Sequence, residues 1–173
     1  MIKILHTGDV HLDSAFSGLD SRHAEIRRNE LRAAFTSMMT YARANGIDLL
    51  LIAGDLFDGA YVTRETVALL VREFERFGKP VFIAPGNHDP LGPGSPWEEQ
   101  WPENVHIFRE NTLSGCDVPD LPVTVYGFGF TENSLVSVPI AEKTVADPSR
   151  VNLLVCHCDM TGAKASAKDC PVT

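Results

Sequence analysis

The chain has 173 residues and carries 15 Lys plus Arg against 23 Asp plus Glu, a formal charge of −8 at neutral pH. That balance argues against a protein that holds nucleic acid through net positive charge. With 44% apolar and 22% charged residues, it belongs with ordinary globular chains rather than disordered or fibrous ones, and residues 1–173 are enough for one domain with a sizeable core. No stretch approaches the roughly 18 apolar residues of a membrane span. The start, MIKILHTGDVHLD, lacks the charged, long-apolar, small-residue order of a signal peptide, so a cytoplasmic protein is expected. Cys116, Cys156, Cys158 and Cys170 form no framework and read as reduced thiols.

The opening run with Ile2, Ile4 and Leu5 ends in a polar turn containing glycine, the pattern of a strand feeding a loop. From Ser21 to Asn45, apolar residues recur every three or four positions, and Asn45-Gly46 supplies a left-handed stop; the spacing predicts a long amphipathic helix. Ile47 to Ala53 is an almost unbroken apolar run, as in a strand covered on both faces. Thr63 can cap a second helix whose face is Val67, Leu70, Val71, Phe74 and Phe77, closed by Gly78, before Pro80 to Ala84 returns as another buried strand. This βαβαβ alternation predicts a parallel sheet with ligands at the carboxyl ends of its strands. Residues 90–102 read as a Pro/Gly-rich surface loop. NVHIF, PVTVYGFGF and VNLLV then read as strands of a second sheet, and the tail from Asp159 to Thr173 shows no clear element.

Four segments place ligand-type residues directly after these strands: Asp9-Val10-His11, Gly54-Asp55-Leu56-Phe57-Asp58, Gly86-Asn87-His88-Asp89 and Cys156-His157-Cys158-Asp159. Taken singly, an Asp after a strand also serves as a cap or turn former. Taken together, carboxylate, amide and imidazole make an oxygen and nitrogen site suited to Mn, Fe or Zn. Two such ions can share a carboxylate, clamp a phosphate and activate a water.

In these blocks the sequence resembles the calcineurin-like metallophosphoesterases, whose pattern is D-x-H, G-D-x-x-D, G-N-H-[DE], a separate His and then G-H-x-H. ILHTGDVHLDS, AGDLFD, PGNHDP and the W-x(3)-WPENVHIF stretch are most similar to the DNA-repair exonuclease subunits of the SbcD and YhaO type. The resemblance covers about residues 1–157. It implies an α/β fold, a four-layer α/β/β/α sandwich whose second sheet is incomplete in this chain. It also implies two divalent ions, Mn²⁺ first and Fe or Zn as alternatives. Asp9 and His11 would bind the first ion, Asp55 would bridge, and Asn87 and His157 would bind the second. His88 would be the catalytic histidine facing the scissile phosphate, and Asp89 would orient it. The implied reaction is in-line attack of an activated water on a phosphodiester, with DNA as substrate and an SMC-like ABC ATPase as partner of the full-length protein. The ions would dominate the local field despite the net charge.

The closing G-H-x-H block is absent, and the expectation is a metallophosphoesterase domain truncated at its C-terminal side. Two further readings therefore stand beside the nuclease: a phosphatase or phosphodiesterase of small nucleotides, and a non-catalytic fragment. Where the family usually has His followed by a small residue, this chain has Cys156-His157-Cys158. On a strand the two thiols face away from the imidazole, so inert buried cysteines are expected over a zinc site. Arg22, Arg27, Arg28 and Arg32 read as a solvated helix face, and His6 and His23 as structural or surface residues. His106 reads as satisfied by a local hydrogen bond, and Trp97 and Trp101 as loop packing. An exposed edge on the second sheet predicts self-association.

Overall fold

Parallel pairing builds the first sheet from the predicted buried runs: β1 (Ile4–Thr7), β2 (Leu49–Ala53), β3 (Val81–Ala84) and β4 (Val105–Ile107), adjacent in that order. The computed structural model describes residues 1–59, 61–135, 140, 145–159 and 170. Two helices make the crossovers. Helix α1 (Ser21–Ala44) starts where the Asp20 carboxylate accepts from His23 N–H at 3.0 Å. Helix α2 (Arg64–Phe77) starts where Thr63 Oγ1 accepts from Thr66 N–H, and it stops at Gly78, whose φ of 60° suits a residue without Cβ.

Alternation along the strands divides the core. Leu50, Ile52, Val81 and Ile83 face Phe35, Met39, Ala42, Leu70 and Phe74 of the helices. Leu49, Leu51, Phe82 and Ala84 face Val123, Val125 and Val155 of the second sheet. Both faces of β2 and β3 are therefore buried, which accounts for their unbroken apolar runs, while edge strand β1 stays partly exposed. The second sheet is β5 (Ser114–Asp117), β6 (Val123–Gly127) and β7 (Val151–Val155), with β5 antiparallel and β7 parallel to β6. Three layers, α/β/β, are seen among the described residues. On the outer sheet Val151 and Leu154 are exposed.

Two expectations need correction. NVHIF does not start the second sheet: β4 extends the first, with Val105 opposite Val81. The segment 90–102, with one 3₁₀ turn at Pro96–Glu98, serves as the crossover in place of an α-helix. It packs Trp97, fully buried, 5.2 Å from Phe57, and Trp101 6.0 Å from Phe74, so the chain returns parallel beside β3. Strand β5 was not expected, since SGCD has no apolar run; as an exposed edge it buries too little to carry the pattern. Arg32 also departs from a solvated face. Its guanidinium is buried and holds Asp13 at 2.8 Å, while Arg27 and Arg28 remain on the surface with Glu30 and Glu25.

Asp13 joins three elements. One oxygen accepts from Arg32 and from Thr66 Oγ1 at 2.8 Å, the other from Thr63 N–H at 2.7 Å. The loop after β1 is thus pinned to both helices. No helix among the described residues is long and apolar enough to cross a membrane. The tail after residue 159, Cys170 apart, lies outside the described residues, as does the expectation for it.

Candidate metal centre

The loops that leave β1 and β2 continue side by side beyond the sheet. Asp9 N–H donates to Gly54 C=O at 3.1 Å, His11 N–H to Asp55 C=O at 2.9 Å, and Leu12 N–H to Leu56 C=O at 2.9 Å. This pairing holds Asp9, His11 and Asp55 in left-handed backbone, with φ of 51°, 49° and 49°. Such conformations in residues with a Cβ cost of order 1–3 kcal/mol each and persist where the surroundings over-determine them. Here they turn three polar side chains toward one point.

That point is the Asp55 carboxylate, whose side chain is 4% exposed. Its Oδ2 lies 3.7 Å from His11 Nε2 and 3.5 Å from His157 Nε2, while Asp9 Oδ1 is 3.8 Å from His11 Nε2. These separations are too long for hydrogen bonds. They slightly exceed the about 3.0–3.4 Å between neighbouring ligand atoms when each sits about 2.1 Å from one ion. Asp55 belongs to two such clusters, one with His11 and His88 and one with Asp9 and His157. A carboxylate shared between two donor sets fits a pair of divalent cations.

The loop after β3 closes against the same carboxylate. His88 N–H donates to Asp55 Oδ1 at 3.0 Å, and a Cβ on Gly86 would sit 2.1 Å from that oxygen. Asn87 lies between these two residues, with its carbonyl accepting from Asn133 Nδ2 at 3.0 Å. From β7, His157 arrives with Nδ1 3.2 Å from the Ala53 carbonyl, which can only accept. Nδ1 therefore donates there, and Nε2 is the ring nitrogen directed toward Asp55. The His157 side chain crowds the place where a Gly54 Cβ would stand, with its own Cβ 2.5 Å and its ring 2.6 Å from that point.

Asp9, His11, Asp55, Asn87, His88 and His157 are thus brought to one end of the sheet. Asp89 plays a different part from the one expected. Its carboxylate points into the protein, accepting from Gly86 N–H at 2.6 Å, Leu56 N–H at 2.8 Å and Phe57 N–H at 3.1 Å. It fastens the β2 and β3 loops together and does not touch the His88 ring. Burial pushes its carboxyl up to about 7, against the pull of those three donors.

The ring of His88 is oriented by Asp58, whose Oδ1 is 2.9 Å from Nδ1, and His11 Nδ1 is 3.4 Å from the same oxygen. The Ser14 hydroxyl bonds the other oxygen, and this bond, with His88 behind it, holds Asp58 below its ordinary carboxylate value. Asp58 was missed as a functional residue although it closes G-D-x-x-D; its position in that block was the available signal.

Outside the centre, the His106 ring lies between Phe82 and Phe108, at 5.2 and 4.8 Å, so aromatic packing accounts for it rather than a hydrogen bond. His23 sits at the α1 cap beside Asp20. Cys156 and Cys158 pack against Phe128, Phe130 and Cys170, and the His157 ring meets Phe130 edge-on at 5.9 Å.

Comparison with known proteins gives a consistent set. Residues 2–168 match the calcineurin-like phosphoesterase family. The chain is 30% identical to the uncharacterized metallophosphoesterase YhaO of Bacillus subtilis, over 99% of this chain and 44% of that protein. It is 26% identical to the SbcD subunit of nuclease SbcCD from Staphylococcus epidermidis, over 99% of this chain and 50% of the relative. It is 32% identical to the DNA double-strand break repair protein Mre11 of Methanosarcina mazei, over 66% of this chain and 17% of that protein. The chain spans about half the length, or less, of the curated relatives it matches.

Proposed function

The chain belongs to the calcineurin-like phosphoesterase family, and from that premise we propose that it hydrolyses phosphodiesters with a pair of divalent cations, DNA ends being the substrate. One observation carries the reading: the Asp55 carboxylate stands within ligand range of two donor sets at the carboxyl ends of parallel strands. As the resemblance implies, Asp9 and His11 would hold one cation, Asn87 and His157 the other, and Asp55 both, although proximity groups His11 with His88 and Asp9 with His157 around Asp55. Mn²⁺ is the first choice for a mixed carboxylate, amide and imidazole site. When bound, such ions supply charge neutralisation on a phosphate and a nucleophilic water at neutral pH.

The protein's own groups do the rest. The His88 ring, about half exposed and held by Asp58, can deliver a proton to the leaving oxygen. Asp89 keeps the loops that carry Asp55 and His88 in register. The SbcCD and Mre11 relatives are named as a nuclease component and a break-repair protein; that likeness supports DNA and an SMC-like ATPase partner here, in a cytoplasmic setting. The side of β7 left unpaired among the described residues supports self-association.

A second reading is favoured by the cleft beside His88. Gly92, Pro93, Gly94 and Asn133 line a space of about 620 Å³, a volume in the range of small-ligand sites, so a mononucleotide ester is the competing substrate. The test is Mn²⁺-dependent turnover of an aryl phosphodiester beside the matching monoester, with His88→Ala as control. Diester turnover that the substitution lowers about 100-fold or more supports the first reading, and monoester preference the second. No turnover on either ester refutes both and leaves a non-catalytic fragment.

A further inference from the structure

Cys156 and Cys158 flank His157, and their sulfurs are 3.5 Å apart. Both are partly exposed and free. We propose that these two residues form an oxidisable dithiol whose closure to a disulfide displaces His157 and weakens cation binding at Asp55. The proposal rests on the reading of His157 as a metal ligand.

The geometry favours closure but not at constant backbone. Cys156 and Cys158 lie just past the end of β7 at Val155, and a disulfide asks for Cα atoms about 5.5–6 Å apart. Drawing the sulfurs from 3.5 Å to about 2.05 Å pulls on the 156–158 segment and buckles it at the residue between. His157 has no slack to absorb this. Its Nδ1 is tied to Ala53 C=O, its side chain fills the notch left by Gly54, and its Nε2 must stay beside Asp55 Oδ2. Metal–ligand distances keep to within about 0.2 Å of their preferred values.

The chemistry balances with hydrogen peroxide as oxidant. Peroxide converts one thiol to a sulfenic acid and leaves as one water. The second sulfur then attacks the first, the S–S bond forms, the S–O bond breaks, and the hydroxyl departs with the second thiol proton as another water.

The experiment compares the full chain reduced and after peroxide treatment, with the oxidant removed. Tryptic peptide 151–164, which holds Cys156 and Cys158 but neither Cys116 nor Cys170, should lose two hydrogens in mass. Mn²⁺ affinity, read by paramagnetic resonance of the free ion, should weaken about 10- to 100-fold. Dithiothreitol should restore both, and Cys158→Ser should keep its Mn²⁺ affinity through the treatment. An unchanged peptide, or a disulfide with unchanged affinity, overturns the proposal. Reduced protein that binds no Mn²⁺ overturns the metal reading itself, and this proposal with it.

Discussion

Gly86→Ala isolates the role of the Asp55 carboxylate because it adds one methyl group and no charge. The new Cβ would stand 2.1 Å from Asp55 Oδ1, 2.7 Å from Asp55 N and 3.0 Å from its Cγ. An ordinary contact needs about 3.4 Å or more, so the carboxylate and the β3 loop must separate by more than about 1 Å. Neither can yield easily. Asp55 N is backbone, Oδ1 also accepts from His88 N–H, and Gly86 N–H is held by Asp89. Overpacking of this kind costs about 1–3 kcal/mol, or about 2–12 °C in Tm for a chain of this size. A shift of about 1 Å is also several times the about 0.2 Å within which metal–ligand distances keep. We expect Mn²⁺ affinity, measured by titration calorimetry, to fall about 10- to 100-fold, with Tm lowered even in chelator. Gly18→Ala, whose Cβ meets nothing within 4 Å, should leave both unchanged. Wild-type affinity and Tm in Gly86→Ala would refute the reasoning.

Other outcomes follow from the same structure. Asp13→Ala removes the buried carboxylate of the Arg32 guanidinium, 7% exposed, and leaves it the carboxylate of Glu25, half exposed, at 3.0 Å; denaturant unfolding should show a loss of about 3 kcal/mol, the low end for a broken buried pair and a large part of the about 5–15 kcal/mol that holds a domain folded. Asp89→Asn places an amide N–H₂ against backbone donors on one side of the carboxylate position, and the same assay should read a loss of about 1–3 kcal/mol. Asp58 is held below its ordinary value of 3.8, chiefly by Ser14. A depressed carboxylate contributes stability above that pH and loses it as pH falls through the folded value. The stability gap between wild type and Ser14→Ala should therefore narrow as pH drops below 3.8; a gap independent of pH would assign the Ser14 bond no electrostatic role.

The sequence was most informative where one period ruled a whole element. Both helices, their caps at Thr63 and Gly78, and strands β1 to β3 are readable because apolar residues recur at helical spacing or run unbroken between turns. Strand β4 was readable as a strand but not as a member of the first sheet, since sheet membership depends on the crossover. A loop anchored by Trp97 and Trp101 has no helical period to announce it. The site divided in the same way. Asp9, His11, Asp55, Asn87, His88 and His157 stand on the loops that leave β1, β2, β3 and β7. The partners of His88 and Asp89 were not legible, because adjacency in G-N-H-D says nothing of side-chain direction. After His88 the backbone turns, Asp89 faces inward, and Asp58 from thirty residues earlier reaches the ring instead. Gly54 and Gly86 were visible as turn residues, whereas their second role, leaving room for His157 and Asp55, is a matter of packing.

The most direct test of the account is the Mn²⁺ stoichiometry of the reduced chain and of Asp55→Asn by titration calorimetry. If Asp55 joins two donor sets, the wild-type chain takes up two ions and Asp55→Asn loses both. Two ions retained by Asp55→Asn, or none bound by the wild type, would contradict the shared-carboxylate centre on which the functional reading stands.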